Sequence, residues 1–593
     1  MNTLAFSEIQ KQLRSADILQ LPEFSISVLR NIMLEPIEPY LRYNAYKMGF
    51  NARIDFGEYD NIFQEAVGGS TKLFNERTGC ILVFMYLENI SWNLARNFAG
   101  LGGEAVQREI DMIYDQIAAT IAGIRRQSNA MVLWHSFEIP AVPCLGILDS
   151  QTEMGQLGVI RNLNDSLQKQ LREVGNMYFV DTNLCISRMG ARNYYDQRYW
   201  HIGRAPYTRE ALCEIAFEDF KYIRPLKGKN KKCLVLDCDN TLWGGIIGED
   251  GLSGIKLGRT HPGSAYYEFQ QEVLNLFHRG IIIALCSKNN ESDVWEVFRN
   301  HPDMLLKEEH IATAQINWQD KALNLRQIAR DLNIDLDSMV FIDDSDFEIN
   351  LIRRELPELE TIHFAKDQAV YYRTILASCG AFDTLTISQE DRERGKIYKA
   401  ETSRKKDLLQ ASDMDSYYKS LEMIAEIRFA DVFSVPRIAQ QTQKTNQFNL
   451  TTRRYSDADI RQFISEGASD VLYLKLLDRF GDSGIIGVCI LKYDGHVAAI
   501  DSFLLSCRAL GRGVEDLLLI RALKLAKKRG YRSVQATYVP TLKNQQVELY
   551  YSQNGFKELN VLPAGAGRSY YFDLAWPIPS EHAYFKEIIS DIE

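Results

Sequence analysis

Short apolar runs alternate with longer amphipathic segments over the first part of the chain. Apolar runs of about 4–8 residues between turn residues are typical of buried strands, and the longer segments between them are typical of helices. The sequence therefore predicts strands at residues 24–29, 80–87, 131–134 and 177–180. Because strands and helices alternate, we expect an α/β layer fold over residues 1–224.

A second alternating pattern begins after a basic segment at 224–232 that contains proline and glycine, residue types that commonly mark linkers. The strongly apolar run 233–236 follows this segment, and further strands are predicted at 281–286 and 339–342. Helical patterns separate these runs. We therefore expect a second domain, 225–387, built on a parallel sheet.

The charged segment 388–420 is helix-prone, and we interpret it as a solvated connecting helix. A helix is predicted at 513–528 in the region beyond it. Four strand-like runs surround that helix, at 471–477, 484–492, 497–505 and 533–538. This pattern predicts a third, mixed α/β domain over residues 421–593.

Composition narrows the range of functions. The formal net charge of −10 along 593 residues argues against nucleic acid as a general partner, because duplex binding needs a dominant basic surface. Ten cysteines are scattered singly, which argues against disulfides and structural zinc. We find no signal peptide and no apolar run of the roughly 20 residues that span a bilayer, so we expect a cytoplasmic protein without a membrane partner.

Paired carboxylates follow the apolar run 233–236, where a strand is expected to end. Ligands of open α/β sheets bind at such strand ends. A carboxylate there can attack phosphorus, and a second one two residues on can protonate the leaving oxygen and then activate water. We predict that Asp237 is the nucleophile and Asp239 the acid/base.

Phosphoryl transfer also needs a divalent cation and cationic or hydroxyl donors. Ser287 follows the second predicted strand, Lys321 begins a predicted helix, and two carboxylates end the third strand. We predict that Ser287 and Lys321 are catalytic. The predicted ligands of Mg²⁺ are Asp237, Asp239, Asp343 and Asp344. The alternative is that the two carboxylates after 233–236 are a surface turn pair.

Several segments together carry a specific resemblance. They are CLVLDCDNTLWGGIIGEDG, LCSKNN, VFIDDSDFE, RIAQQTQKTNQFNLTTRRY, DRFGDSGIIG, SCRALGRGVE and VPTLKNQQV, spread over roughly residues 230–560. The chain resembles the haloacid dehalogenase (HAD) superfamily and, more closely, its FkbH-like family in subfamily IIIC. The resemblance implies a HAD-like Rossmannoid parallel sheet. Ser345, Asp346 and Ile349 depart from the expected family pattern.

The resemblance also implies an activity. FkbH-like proteins transfer a glyceryl unit from 1,3-bisphosphoglycerate to the phosphopantetheine thiol of an acyl carrier protein, with loss of both phosphates, in polyketide-type biosynthesis. Only about forty residues separate Asp239 from the second strand, and about thirty separate Asn289 from Lys321. These spacings leave no room for a large cap, so we expect an open site that suits a macromolecular substrate.

Cys238 stands between the two predicted catalytic carboxylates. Its thiolate could accept the glyceryl group from the acyl phosphate, which makes it a candidate catalytic residue. The alternative is that strand alternation turns residue 238 away from its neighbours and leaves a buried thiol.

The C-terminal region contains a turn of the R-x-x-G-x-G type between a predicted strand and a predicted helix. This turn resembles that of GNAT acyltransferases, and backbone amides at such a helix start can hold a pyrophosphate. The candidate residues for binding CoA or the phosphopantetheine of a carrier protein are Arg508, Gly511, Arg512 and Gly513. Tyr551 is a candidate general acid.

A local basic surface is a second candidate feature of the C-terminal region. It consists of Lys444, Arg453, Arg454, Arg508 and Arg512. These residues could dock an acidic carrier protein. The alternative is that their charges are simply solvated.

The N-terminal region faintly resembles a flavodoxin-like SGNH-hydrolase fold at residues 27–32 and 196–201. The turn at 30–32 has no serine nucleophile, so we expect either a non-hydrolytic scaffold or a module that docks the carrier protein, with a structural His201. Three functions remain open for the whole chain: a glyceryl transferase/phosphatase, a small-molecule phosphatase, and a bifunctional protein with an active N-acyltransferase domain.

Overall fold

The computed structural model describes residues 6–14, 16–69, 73–75, 78–387, 392–393, 397–400, 404, 407–408, 413–506, 509–561 and 567–592. The chain forms two compact units, Met1–Arg224 and Pro225–Glu593. Among the residues that the structure describes, no helix combines the length and the apolar character needed to cross a lipid bilayer.

The first unit is built on a five-stranded sheet in the order β2-β1-β3-β4-β5, in which every pair is parallel. The strands are β1 (Glu23–Arg30), β2 (Asn51–Phe56), β3 (Thr78–Phe84), β4 (Met131–His135) and β5 (Met177–Val180). This is the strand order of flavodoxin-like folds. The α/β prediction is confirmed, and β2 is the strand that the sequence pattern missed.

Helices cover both faces of this sheet, as parallel sheets require. The helix Gly103–Gln127 buries one apolar stripe from Val106 to Ile124. The α-helices of the unit are Phe6–Leu13, Glu38–Lys47, Ile62–Val67, Leu87–Ile90, Trp92–Arg96, Gly103–Gln127, Gln156–Val174, Thr182–Met189, Ala191–Tyr194, Gln197–Gly203 and Arg209–Leu226.

The second unit contains a further five-stranded parallel sheet in the order β10-β9-β6-β7-β8. Its strands are β6 (Cys233–Leu236), β7 (Ile282–Ser287), β8 (Ile311–Ile316), β9 (Met339–Asp343) and β10 (Glu360–His363). Its helices are Ile247–Gly254, Gly263–His278, Glu291–Asn300, Lys321–Leu332, Asp346–Glu355 and Tyr372–Ser378. The central strands are fully buried on both faces, which places their carboxyl ends at one edge of a well-packed core.

A nine-stranded mixed sheet completes the second unit. Its order is β17-β18-β16-β15-β14-β13-β11-β19, and β12 pairs with β15. The strands are β11 (Ile424–Phe429), β12 (Phe448–Asn449), β13 (Ser469–Asp478), β14 (Gly481–Asp494), β15 (Val497–Leu505), β16 (Ser533–Tyr538), β17 (Lys557–Val561), β18 (Arg568–Asp573) and β19 (Glu587–Ser590). The mixed α/β prediction for this region is confirmed. Its helices are Met414–Ser420, Val435–Lys444, Asp457–Ser465, Val514–Lys528 and Tyr550–Gln553.

Polar contacts join the two sheets of the second unit. Lys232 Nζ donates to the carbonyl of Lys444 at 3.0 Å. Gln447 Nε2 donates to Asp335 Oδ1 at 2.9 Å, and Lys543 forms an ion pair with Asp337.

About half of the predicted linker 388–420 lies outside the described residues. The described part is not simply solvated, because Ile397, Tyr398 and Arg404 are buried and Arg404 forms an ion pair with Asp478. The three-domain division therefore stays a prediction.

Candidate active site

Asp237 lies at the carboxyl end of β6, the central strand of the second parallel sheet. Its backbone amide donates to Ile342 O at 3.0 Å and so continues the ladder between β6 and β9. Its carboxylate is buried. Strand pairing therefore places this carboxylate beside those that end β9.

Lys321 connects two of these carboxylates. Its Nζ lies 3.1 Å from Asp237 Oδ1 and 2.6 Å from Asp343 Oδ2. It is the first residue of the helix Lys321–Leu332, which Asp320 caps by accepting hydrogen bonds from two backbone amides. Burial alone would lower the pKa of Lys321, but the two carboxylates raise it well above its ordinary value. Lys321 is therefore a buried cation at the centre of the site.

Three carboxylates converge closely enough to bind one metal ion. One oxygen each of Asp237, Asp343 and Asp344 lies within 4.8 Å of the others. Burial and the charge of Asp237 raise the pKa of both Asp343 and Asp344, which means that their negative charges are under-compensated. Carboxylate oxygens are the ligands that Mg²⁺ prefers in proteins, so this group fits that ion.

The Asp239 carboxylate is held outside this group. Its Oδ1 accepts hydrogen bonds from Trp243 Nε1 at 2.9 Å and from Ile247 N at 3.1 Å. Its Oδ2 accepts one from Asn289 Nδ2 at 3.1 Å. Burial raises the pKa of Asp239 above that of an ordinary aspartate. A fixed carboxyl group with a raised pKa suits the predicted acid/base role, whereas the structure does not bring its carboxylate to the other three as a ligand.

Two buried polar atoms of the site, one on Asp237 and one on Thr241, could contact a ligand. Asp237 Oδ1 faces Lys321 without hydrogen-bond geometry, and Thr241 Oγ1 is fully buried. Neither atom has a hydrogen-bond partner among the residues that the structure describes. Buried polar atoms are nearly always paired, so unpaired ones are expected where a ligand completes the set. Ser287, at the end of β7, accepts a hydrogen bond from Asn289 Nδ2 at 3.0 Å.

Trp243 and Thr241 were missed by the sequence analysis. Both lie within the motif that supplied Asp237, so proximity to that motif was the available signal. The spacing of four residues between Asp239 and Trp243 could have indicated their contact.

Cys238 is fully buried in an apolar cluster that includes Leu236 and Leu242. Burial, together with the neighbouring negative charge of Asp237, raises the pKa of its thiol well above the ordinary value. A thiol in these surroundings stays protonated and is a poor nucleophile. Of the two interpretations of Cys238, the geometry fits the buried thiol.

Large apolar side chains are exposed beside the site, in one loop and in the first turns of two helices. Trp318, three residues before Lys321, is 70% exposed, and its Nε1 donates to Asn290 Oδ1 at 3.2 Å. Phe347, three residues after Asp344, is 71% exposed. Leu323 is also exposed. Exposed apolar side chains this close to a site are available to contact a ligand or a partner.

The turn predicted to bind pyrophosphate, at residues 508–513, differs from this site because its described groups already contact other side chains of the protein. Arg508 lies outside the described residues. Gly511 N donates to Glu515 Oε1 at 3.1 Å, and Tyr584 Oη donates to Arg512 O at 3.1 Å. A Cβ on Gly513 would lie 1.9 Å from the Tyr584 hydroxyl. The turn is therefore covered by the protein's own side chains.

The Arg512 side chain is also directed inward. Its Nη1 lies 3.5 Å from Asp478 Oδ2, and the guanidinium is buried. The predicted contribution of Arg512 to an exposed basic surface is therefore wrong.

A short segment of the chain occupies the gap where β15 and β16 diverge. These strands pair in parallel only as far as Ile500 and Ala536, although both continue further. Beyond that point, segment 448–450 pairs with the end of β15, and its last carbonyl accepts a hydrogen bond from Val539 N at 2.8 Å. An extended ligand therefore cannot enter the cleft between β15 and β16 at this point, because segment 448–450 already lies there.

The other candidate residues of the C-terminal region are also used internally. Arg454 Nη1 donates to the carbonyls of Thr442, Gln443 and Thr445, and burial lowers its pKa to about 10. Arg453 forms an ion pair with Asp501. Tyr551 is fully buried within the core. Arg454 was expected either to dock a carrier protein or to be solvated. Both expectations are wrong, because the C-terminal end of the helix Val435–Lys444 and the loop after it enclose the guanidinium.

The first unit has no serine at its 30–32 turn, as the sequence indicates. The Asn31 side chain in this turn forms two hydrogen bonds with the backbone of Tyr86. Its Nδ2 donates to Tyr86 O at 3.0 Å, and its Oδ1 accepts from Tyr86 N at 2.7 Å. His201 is exposed in the helix Gln197–Gly203, so it does not pack in the core as a structural histidine would.

Comparison with known proteins identifies one extensive similarity. The N-terminal part of the protein BF1531 from Bacteroides fragilis, which contains a phosphatase domain and was solved in complex with Mg, is similar to this chain with 26% sequence identity and a TM-score of 0.59. The similarity covers 65% of this chain and 100% of that chain. No family model matches the chain, and no curated protein matches it.

Two further similarities cover about a quarter of the chain. A GNAT-family acetyltransferase from Staphylococcus aureus shares 16% identity at a TM-score of 0.21, covering 25% of this chain and 99% of that chain. A mutant of spermidine N-acetyltransferase SpeG from Vibrio cholerae shares 15% identity at a TM-score of 0.20, covering 26% and 94% of the two chains. The GNAT-like fold stays a prediction.

Proposed function

We propose that this protein is a Mg²⁺-dependent phosphoryl-transfer enzyme with Asp237 as its nucleophile. The observation that carries the proposal is the convergence of Asp237, Asp343 and Asp344 around the buried Lys321 at the carboxyl edge of a parallel sheet. The similar protein from Bacteroides fragilis, described as containing a phosphatase domain complexed with Mg, supports the same chemistry.

The reaction proceeds in two displacements. An oxygen of Asp237 attacks phosphorus, the bond from phosphorus to the leaving oxygen breaks, and Asp239 gives its proton to that oxygen. Asp239 then takes a proton from a water molecule whose oxygen attacks the phosphoryl group, and Asp237 leaves as a free carboxylate. The raised pKa of Asp239 supports its acid role, because the protonated form persists at a higher pH than in an ordinary aspartate.

The residues around Asp237 compensate the charge of the phosphoryl group and position the nucleophile. Asp237, Asp343 and Asp344 would hold Mg²⁺, which supplies positive charge against the phosphoryl oxygens when it is bound. Lys321 stands between two carboxylates, so it fixes the direction of the Asp237 side chain. The hydroxyls of Ser287 and Thr241 are available as donors to phosphoryl oxygens.

Hydrolysis of para-nitrophenyl phosphate by the full chain tests this proposal. We expect Mg²⁺-dependent phosphate release that Asp237→Asn lowers by at least about 10³-fold, since removing a nucleophile abolishes the first displacement. Asp346→Asn is the matched control, because the Asp346 side chain is 83% exposed at the start of the helix Asp346–Glu355 and is not part of the acidic group. Comparable loss in both variants, or activity without added divalent cation, would overturn the proposal.

We further propose that the physiological reaction is glyceryl transfer from 1,3-bisphosphoglycerate to the phosphopantetheine thiol of an acyl carrier protein. The resemblance of segments over residues 230–560 to the FkbH-like family supports this, as do the exposed Trp318, Leu323 and Phe347 beside the site. The thiol sulfur attacks the acyl carbon, the bond to the phosphate oxygen breaks, and the thiol proton leaves with the phosphate. The second phosphate is hydrolysed at Asp237.

The burial of Cys238 leads us to assign the carrier thiol, rather than Cys238, as the acceptor of the glyceryl group. Intact-protein mass spectrometry with a 1,3-bisphosphoglycerate generating system, Mg²⁺ and a holo carrier protein tests both points. We expect a glyceryl-sized adduct on the carrier with wild type and with Cys238→Ala. Phosphate release without a carrier adduct contradicts the transfer, and an enzyme-bound adduct that Cys238→Ala removes contradicts the acceptor.

A further inference from the structure

The first unit contains a cavity beside the carboxyl ends of β3 and β4. Its volume is about 220 Å³, and its lining includes Tyr86, Glu88, Arg96, Glu138 and Tyr195. Open α/β sheets bind their ligands at this edge. Drug-sized ligands occupy pockets of about 300 Å³ or more, so this cavity suits a smaller molecule.

Glu138 is the polar focus of the cavity. Its Oε1 accepts hydrogen bonds from Tyr207 Oη at 2.8 Å and Tyr194 Oη at 3.3 Å, and its Oε2 accepts one from Tyr195 Oη at 2.8 Å. Burial raises the pKa of Glu138 to about 7 despite these three bonds. An ionised carboxylate can accept about four hydrogen bonds, so one acceptor position remains for a donor from the ligand.

Charges elsewhere in the lining cancel. Glu88 forms an ion pair with Arg96, whose Nε lies 2.7 Å from Glu88 Oε2. The net charge of the cavity is therefore that of Glu138. A cationic ligand compensates this charge, whereas an anionic ligand would add to it.

Aromatic rings stand around the same carboxylate. The rings of Tyr195 and Tyr207 are 6.5 Å apart with 28° between their planes, and Tyr86 packs against Trp200 at 5.2 Å. Tyrosine rings attract ammonium groups placed within about 6 Å of their faces. A carboxylate among such rings is the combination that recognises organic cations.

The rest of the lining is largely apolar. It consists of Leu87, Ala95, Pro140, Ala141, Val142 and Ile160. This surface accepts the hydrocarbon body of a ligand. We propose that the cavity binds a small organic ammonium ion, whose charged head contacts Glu138, Tyr86 and Tyr195 and whose apolar body contacts the remaining wall.

Binding of benzylamine to the full chain, measured by titration calorimetry, tests the proposal against benzyl alcohol, a neutral molecule of nearly the same shape. We expect benzylamine to bind at least tenfold more tightly than the alcohol, and Glu138→Gln to remove that preference. Glu104→Gln should leave it unchanged, because the Glu104 side chain is 96% exposed on the helix Gly103–Gln127. Equal binding of the two probes, or a preference that survives Glu138→Gln, would overturn the proposal.

A second pair of variants avoids the hydrogen-bonded core around Glu138. Val142 lines the cavity and is 84% exposed, so Val142→Trp adds bulk at the cavity entrance without disturbing the fold. We expect it to weaken benzylamine binding at least tenfold, whereas Val142→Ala should keep it. Unchanged binding in Val142→Trp would show that benzylamine binds elsewhere, which also overturns the proposal.

Discussion

Two parts of the second unit carry residue types that bind phosphate-containing ligands, and they differ in how their polar groups are paired. At the carboxyl edge of the parallel sheet, Asp237 Oδ1 and Thr241 Oγ1 are buried without a hydrogen-bond partner among the described residues. At the turn before the helix Val514–Lys528, Glu515 occupies the Gly511 amide and Tyr584 covers Gly513. The first arrangement leaves its polar atoms available to a ligand. In the second the Gly511 amide is already used, although Glu515 Oε2 is itself buried without a hydrogen-bond partner among the described residues.

The comparison shows that the residue types of a motif do not by themselves decide whether a ligand can bind there. Glycines at a helix start offer amides to any anion, and here the anion is a carboxylate of the same helix. Burial and the charge of Asp237 raise the pKa values of Asp343 and Asp344, although Lys321 contacts Asp343 and Lys366 contacts Asp344. Whether the protein's own side chains already use the groups of a motif is therefore the better indicator of whether the motif binds a ligand.

Removing the central cation should have the largest effect on the first region. Lys321→Met keeps the length of the side chain but leaves Asp237 and Asp343 without their shared partner. We expect kcat for phosphate release to fall roughly 10²–10³-fold, the range found when one stabilising group is removed from an active site.

Lys288→Met is the control for this prediction, because Lys288 is an ion-paired lysine at the same sheet edge whose partner is Glu348. Its effect should stay below about threefold, since it does not contact the acidic group. Similar losses in both variants would mean that the effect is a general one of lost lysine charge. The measurement is the steady-state rate at saturating Mg²⁺.

Thr241→Val tests whether the unpaired hydroxyl serves the ligand. The substitution removes a buried oxygen with no hydrogen-bond partner among the described residues, so the free energy of unfolding should stay the same or rise. If the hydroxyl donates to a phosphoryl oxygen, activity should fall about 10–100-fold, which corresponds to about 1.5–3 kcal/mol for a hydrogen bond to a charged group.

Thr120→Val is chemically the same change at a buried threonine of the first unit whose hydroxyl is also unpaired among the described residues. It should change neither activity nor stability appreciably. Denaturant unfolding and initial rates separate the two effects. A Thr241→Val enzyme with full activity would remove Thr241 from the site.

How far the sequence predicts this contrast depends on where the contacts lie along the chain. The apolar runs of β6 and β9 and the order of Asp237, Lys321 and Asp343 were readable, because each polar residue directly follows or begins an element. The strands β2, β8 and β10 of the two parallel sheets were missed, since none of them contains a long apolar run.

The sequence could not predict that Tyr584 covers the turn at Gly513. Tyr584 lies about seventy residues beyond Gly513, and no local pattern connects them. The pairing of segment 448–450 with β15 is equally remote in sequence. Whether a motif is available to a ligand is decided by such contacts, which only the folded chain brings together.

Gly513→Ala tests whether Tyr584 covers the turn before the helix Val514–Lys528. Gly513 has φ 70° and a Cβ there would meet the Tyr584 hydroxyl, whereas Gly495 has φ 53° with nothing within 4 Å of the added carbon. Each alanine carries a backbone strain of about 1–2 kcal/mol. We expect Gly513→Ala to lose a further 1–3 kcal/mol or so, because Tyr584 must move. Equal losses of unfolding free energy would mean that Tyr584 does not cover the turn.

Coenzyme A should have the smallest effect of all. A ligand present at a hundred times its Kd stabilises a protein by about 2.7 kcal/mol, which raises the melting temperature by several degrees. Because Glu515, Tyr584 and segment 448–450 occupy the turn and the cleft, we expect millimolar coenzyme A to leave the melting temperature of the full chain unchanged within 1 °C or so. A shift of several degrees would contradict the contrast between the two regions, because the turn would then open to a ligand that its own side chains exclude in this structure.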